Sequence, residues 1–280
     1  MIHSQRGRDS FPEVIGLLPA GGEARRIAPL PCSKELFPIG FRPIGEQGEL
    51  RPKVACHYLL EKMSLAGIGK VYIILRMGKW DIPNYLGDGS MLNMHFAYLM
   101  VGLAYGTPFT VDQAYPFVQN TLVAFGFPDI IFYADDAFVR LLERQAETRA
   151  DVILGLFPAH KPEVMDMVEV HGDGRIRSIT IKPLHTDLHY TWIVAVWNST
   201  FTRFLHNYLM VLRYEHRKEA DINVTAEQEL SVGHIFQAAI REGLQIQSVS
   251  FPGRTYLDIG TPDNLVKAVS NIKLNPDNNS

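Results

Sequence analysis

The sequence predicts an α/β fold: a mostly parallel central sheet with helices on both faces, followed by a β-rich insertion. Three observations predict it. Short apolar runs such as Val14–Leu18, Val71–Leu75 and Asp151–Phe157 read as strands buried on both faces. Segments of helical spacing, Pro52–Ala66 and Ala137–Glu147, fall between such runs, the rhythm a parallel sheet requires. After Met165 the pattern changes to alternating runs separated by Gly172-Asp173-Gly174, a hairpin signal.

Taken in order, Val14–Leu18 is a buried strand ended by Pro19 and the Gly21-Gly22 pair. Pro52–Ala66 carries Ala55, Tyr58, Leu59 and Met63 at helical spacing, and Gly67 and Gly69 stop it. Val71–Leu75 is the next strand. A polar stretch with Leu86-Gly87-Asp88-Gly89 precedes a third, His95–Leu99. Leu122–Phe127 is a fourth strand, ending at Pro128-Asp129. Asp135-Asp136 are placed to cap the helix Ala137–Glu147, and Asp151–Phe157 is the fifth strand. Met165–Val170, Arg175–Ile181 and Tyr190–Trp197 form the β-rich insertion. Helices at Thr200–Tyr214 and Glu229–Arg241, a strand at Gln245–Phe251 and a closing helix Pro262–Ile272, with Thr261 as N-cap, complete the chain. The tail Asn275–Ser280 reads as frayed. With no linker long enough to separate folding units, residues 1–280 read as a single domain. About 14–157 form one half and about 158–272 the other, with the closing helix.

Charge and composition exclude several classes. The net charge is −3 and no Lys/Arg stripe appears, which argues against a nucleic-acid partner. Two cysteines, Cys32 and Cys56, make neither a disulfide framework nor a zinc motif. Met1–Glu13 lacks the apolar core of a signal peptide, and no apolar run approaches the ~18 residues of a membrane span. The expectation is a cytoplasmic protein with no membrane partner.

Ligands of open parallel sheets bind outside the carboxyl ends of the strands. Four features fall there. The loop Ala20–Lys34 combines small residues, Ala20, Gly21 and Gly22, with the cations Arg25, Arg26 and Lys34. It suits an anion such as a phosphate, or is a glycine turn with solvated arginines. GxxxxGK[ST] is absent, and Ala24 and Ile27 break GxGxxG. Asp129 and Asp258 each follow apolar runs, where a carboxylate can hold a metal ion or a turn. Lys182, closing an insertion strand, meets a phosphate or only solvent.

At these residues the sequence resembles the glucose-1-phosphate thymidylyltransferase group of sugar-phosphate nucleotidylyltransferases. That family carries A-G-G-x-G-T-R-[LM]-x-P, then a lysine and L-x-P-[VI]. Here Ala20-Gly21-Gly22-Glu23-Ala24-Arg25-Arg26-Ile27-Ala28-Pro29 and Lys34-Glu35-Leu36-Phe37-Pro38-Ile39 take those places. Gly106-Thr107 matches a base-contacting pair, Asp129 lies at the distance of a metal-binding Gly-Asp, and Leu257-Asp258-Ile259-Gly260-Thr261 matches [WY]-x-D-x-G-T. The chain departs from the pattern at Ala24 and Arg25 (for Gly-Thr), Val101 (for a base-reading glutamine), Pro128 and Asp166 (for glycines), Val194-Ala195 (where a glycine normally admits the sugar) and Ile181 (for the glutamate of E-K-P).

The resemblance implies a Rossmann-like nucleotidyltransferase fold whose β-rich insertion binds sugar. It implies transfer of a nucleoside monophosphate from an NTP, dTTP or UTP, to a sugar 1-phosphate, with pyrophosphate released. It implies Mg²⁺ on Asp129 and Asp258, catalysis by Arg26 and Lys34, and nucleotide binding by Ala20, Gly21, Gly22, Arg25, Gly106 and Thr107. Glu169 and Lys182 are then the sugar-phosphate residues. Such relatives often assemble as dimers or tetramers, so a homo-oligomer is left open. Two rivals stand beside this reading: a non-catalytic paralogue that binds a nucleotide or nucleotide sugar, and a Rossmann-type oxidoreductase. The missing third glycine and the absence of an acidic residue after Leu75-Arg76 argue against the oxidoreductase.

Overall fold

The structure, a computed structural model, describes residues 12–45, 47–102, 106–219 and 230–270. In chain order they form β1 (Val14–Pro19), β2 (Pro38–Ile44), β3 (Glu49–Val54), α1 (Ala55–Leu65), β4 (Lys70–Arg76), α2 (Asp81–Leu86), β5 (His95–Val101), α3 (Thr107–Asp112) and α4 (Tyr115–Val118). There follow β6 (Leu122–Gly126), β7 (Ile130–Phe132), α5 (Ala137–Thr148), β8 (Val152–Pro158), β9 (Asp166–Val170), β10 (Ile176–Ile181) and β11 (Tyr190–Trp197). The chain closes with α6 (Ser199–Glu219), α7 (Val232–Arg241), β12 (Ile246–Ser250), β13 (Tyr256–Asp258) and α8 (Pro262–Ser270).

One nine-stranded sheet runs in the order β10-β9-β11-β6-β1-β4-β5, with β8 paired to β11 and β12. The block β6-β1-β4-β5 is parallel. Alternation along these strands divides the interior into two layers. Leu18, Val71, Ile73, Leu75 and Ala124 pack against α1 and α5 through Leu59, Met63, Phe138 and Leu141. Ile15, Leu17, Ile74, Val123 and Phe125 pack against α6 and α7 through Phe201, Leu205, Ile235 and Phe236. A strand buried on both faces must be apolar at every position, which is why these runs were legible as strands.

β11 lies antiparallel to β6, with Val194 opposite Gly126 and Trp197 opposite Val123. The β9–β11 segment is thus a continuation of the central sheet. This register aligns the start of β11 with the residues that follow β6.

Several boundaries differ from the sequence reading. Pro52, Lys53 and Val54 close a hairpin, β2–β3, and the helix starts at Ala55. The hairpin is a separate two-stranded ribbon carrying Pro38, Pro43 and Pro52, and proline hides strand character where a free edge tolerates it. Asp136 holds the N-cap position of α5 without a side-chain cap, and Asp135 instead meets Lys62 at 2.7 Å. α6 extends beyond the predicted Tyr214 to Glu219. The predicted start of the next helix at Glu229, the end of the closing helix at Ile272, the tail 275–280 and residues 1–11 lie outside the described residues. Among the described residues no helix is long and apolar enough to cross a membrane.

Candidate active site

The site begins where β1 ends. Ala20 extends the parallel ladder, its N–H donating to the Ile74 carbonyl at 2.8 Å. The chain then leaves the sheet in a tight loop. A side chain on Gly21 would meet Val101 and Thr110, each at 3.7 Å, so the loop lies against the end of β5 and against α3. Gly106, at φ 109°, opens that helix with Thr107 as its first residue. Gly21 therefore faces α3, the helix that Gly106 and Thr107 open. Gly22 lies next to Lys34, whose Nζ would sit 3.6 Å from an added Cβ.

Ala24 adopts φ 54°, a left-handed conformation in which glycine is the easier residue. Its carbonyl accepts the N–H groups of Ile27 and Ala28, both at 3.0 Å, which closes the turn. Arg25 is exposed and ion-paired to Glu23, which also holds Arg76. The Arg25 bond, and then its charge, keep the Glu23 carboxyl below its usual range.

Lys34 starts a single helical turn, Lys34–Leu36, fixed on both sides. Asp81 accepts the Ser33 N–H at 2.6 Å and its hydroxyl at 2.8 Å. Glu35, 2% exposed, accepts two bonds from the buried Lys79 at 2.8 and 2.9 Å. Burial pushes the Glu35 carboxyl up, and Lys79 works against it. With its neighbours held, Lys34 reaches Asp129 Oδ2 at 2.5 Å. Burial pulls the Lys34 ammonium down, but the Asp129 charge and hydrogen bond, with Glu35 and Asp258, outweigh it and leave the pKa raised.

Asp129 and Asp258 are brought together by a two-stranded ladder. β7 and β13 run antiparallel with Asp258 opposite Ile130, and the Ile259 N–H donates to the Asp129 carbonyl at 3.1 Å. The Asp258 carboxylate accepts the Gly260 N–H at 2.8 Å and lies 3.7 Å from an Arg26 nitrogen. A Cβ on Gly260 would be 2.9 Å from both Arg26 and Asp258, so a side chain there would crowd the pair. Burial and then the Asp129 charge push the Asp258 carboxyl up, against the Gly260 bond and the charges of Lys34 and Arg26. Two desolvated carboxylates sharing one site with two cations suit a ligand that carries both a metal ion and phosphates.

The insertion contributes less directly. Lys182 is exposed, adopts φ 44° and donates its N–H to the Met165 carbonyl at 2.9 Å. Glu169 is tied to Arg177 and to the Ser178 hydroxyl, each at 2.9 Å, on the adjacent strand. It points to the face of β9 opposite Asp166, by the period-two alternation of a strand. Lys182 does act on the Asp166 charge.

The model of the nucleotidyl transferase family matches residues 15–274, nearly the whole chain. The chain belongs to this family of enzymes. Among curated relatives, a low-salt glycan biosynthesis nucleotidyltransferase of Haloferax volcanii is 23% identical over 90% of the chain, which spans 64% of that relative's length. A glucose-1-phosphate thymidylyltransferase of Actinoplanes is 25% identical over 92% of the chain and 78% of its own. Among solved structures, one titled as a glucose-1-phosphate thymidylyltransferase of Bacillus anthracis with sucrose superposes with a TM-score of 0.72. It is 18% identical and covers 94% of this chain and 97% of its own. The inositol-1-phosphate CTP transferase of T. maritima gives a TM-score of 0.66 at 16% identity, covering 91% and 94%. These superpositions carry the fold: a Rossmann-like nucleotidyltransferase α/β sheet, as expected. Family membership sets the oxidoreductase reading aside.

Three contacts that hold the Ala20–Lys34 loop were not found in the sequence: Asp81, the Glu35–Lys79 pair and Arg76. A lysine and an aspartate close behind a buried strand, in Gly78-Lys79-Trp80-Asp81, were the available signal.

Proposed function

We propose that the chain transfers a nucleoside monophosphate from an NTP to a sugar 1-phosphate or a similar phosphorylated alcohol, releasing pyrophosphate. The observation that carries this reading is the Asp129–Asp258 juxtaposition, with Lys34 on the first carboxylate and Arg26 on the second. The names of the curated relatives support the same chemistry.

The acceptor phosphate is already an anion, so the attack on the α-phosphorus needs no general base. The protein's task is to align two polyanions and offset their repulsion. Lys34, held by its flanking contacts, bridges the α-phosphate and the incoming phosphate. Arg26, on the outer side of Asp258, stabilises charge developing on the β- and γ-phosphates. Gly21 and Gly22 admit the base beside Gly106 and Thr107, and Lys182 holds the acceptor phosphate. Glu169 is the weaker of the two insertion candidates, because Arg177 and Ser178 already occupy its carboxylate.

The donor set fits Mg²⁺, which takes one or two carboxylates and completes its octahedron with phosphate oxygens and water. Asp129 and Asp258, brought together by the β7–β13 ladder, are the carboxylates that would hold the ion. Bound there, Mg²⁺ would neutralise phosphoryl oxygens and offset the Asp129 charge, which after burial is the second cause that raises the Asp258 carboxyl.

The test is pyrophosphate release with each of the four NTPs, Mg²⁺ and a panel of phosphorylated sugars and polyols, with dTTP and UTP as the first donors. Mg²⁺-dependent release with one pairing supports the reading. Tight NTP binding without release from any pairing replaces it with a non-catalytic, nucleotide-binding role.

A further inference from the structure

The start of β9 places a carboxylate beside the acceptor edge of the site. Asp166 lies opposite Ile181 in the β9–β10 ladder, next to Lys182, and its carbonyl accepts the Thr191 hydroxyl at 2.9 Å. The following residue, Trp192, packs its ring 5.8 Å from that of Phe127, two positions before Asp129. Asp166 therefore sits two strands from β6, across β11, at the sheet end where the chain runs on from β6 to Asp129.

Asp166 is held between β9 and the start of α7. Its Oδ2 accepts the Ser231 hydroxyl at 3.3 Å, and that hydroxyl lies 2.9 Å from His234 Nδ1. A Cβ on Gly233 would come within 2.1 Å of Oδ2, so the carboxylate fills a notch that only glycine leaves open. Trp192 is 6% exposed, and among the described residues its buried Nε1 has no partner at hydrogen-bond geometry, although it lies near enough to act on the Asp166 charge. Burial pushes the Asp166 carboxyl up; Trp192 and Ser231, then Lys182 and His234, work against it.

A carboxylate offers about four acceptor positions, and among the described residues only the long Ser231 bond and the off-geometry Trp192 N–H address this one, which leaves acceptor capacity for a ligand. The neighbouring Lys182 and His234 make the spot unfavourable for a second cation. The complementary group is therefore a neutral donor. We propose that Asp166 selects the acceptor by accepting a hydrogen bond from a hydroxyl of its polyol part, with Ser231 and Gly233 positioning the carboxylate. This rests on the transferase reading above.

The experiment uses the full chain and the best phosphorylated polyol from the panel, together with its single-deoxy and amino-substituted analogues. One deoxy analogue should lose roughly 10- to 100-fold in kcat/KM with the native enzyme, the scale of a hydrogen bond to a charged group. With Asp166→Ala the same analogue and its parent should be used nearly equally. Asp166→Asn, which keeps a carbonyl acceptor, should recover part of the discrimination. The acceptor KM should rise in Asp166→Ala while the NTP KM holds. Thermal melts of both variants check that they fold. Equal discrimination by the native enzyme and Asp166→Ala overturns the assignment and leaves the transferase reading intact. Preference for the amino analogue overturns the hydroxyl class in favour of an ammonium. Absence of turnover with every acceptor removes both readings.

Discussion

Ser33 and Asp81 are joined twice, backbone N–H to one carboxylate oxygen and hydroxyl to the other, at 2.6 and 2.8 Å. The contact ties the end of the loop Ala20–Lys34 to the first residue of α2, one position before Lys34. Asp81→Ala frees this end of the loop. It is expected to destabilise the protein by about 1–3 kcal/mol and to lower kcat more than it raises the NTP KM. Chemical denaturation and steady-state pyrophosphate release check the two effects.

Under the proposed function, Lys34→Ala removes a preorganised cation from the reacting phosphates. Turnover should fall by about 10²–10³ with near-native circular dichroism. Unchanged turnover takes Lys34 out of the mechanism.

Lys79→Met leaves the buried Glu35 carboxylate without its partner. The expected loss is about 3–5 kcal/mol near neutral pH. Lys79 is a cause that lowers the Glu35 pKa, so its removal raises that pKa further. A carboxyl whose folded pKa exceeds its unfolded value favours the folded state as pH falls through that window. The deficit of the variant should therefore shrink on acidification, and Glu35→Gln/Lys79→Met should show no such dependence. Denaturation curves from pH 8 to 5 on all three proteins test this.

Asp258→Asn should move stability and activity in opposite directions. The Asp258 pKa is raised by burial and by Asp129, so its charged form weighs on the unliganded fold as pH rises above the ordinary carboxylate range. Neutralising it should raise the melting temperature near pH 7 and lower Mg²⁺-dependent turnover by at least about 10². A melting temperature below that of the native chain at pH 7 contradicts the sign.

The central strands β1, β4, β6 and β8 were legible because they are largely buried on both faces and carry apolar runs. β7 and β13, three residues each, were not, since so short a ladder carries no periodicity. That ladder is what joins Asp129 to Asp258, so their meeting could be expected from the family pattern but not from local physics. The β2–β3 hairpin was obscured by its prolines. Asp135-Asp136 were misread because an N-cap position and an N-cap hydrogen bond are different things: Asp136 has the first alone. Glu35 and Lys79 escaped notice because charged residues default to the surface in sequence reasoning, and their mutual burial is decided by tertiary packing.

The β7–β13 ladder lies outside the nine-stranded sheet, whose last member ends at Ser250. A polypeptide cut at Gly253 retains every strand of the nine-stranded sheet and most of both apolar layers, yet lacks Tyr256, the small cluster around Ile259 and Ala268, and one of the two carboxylates. Proteolytic nicking or premature termination there is thus expected to yield a folded but inert product. Such a product keeps the Gly21-Gly22 turn, so under the proposed function it is expected to bind nucleotide without turning it over.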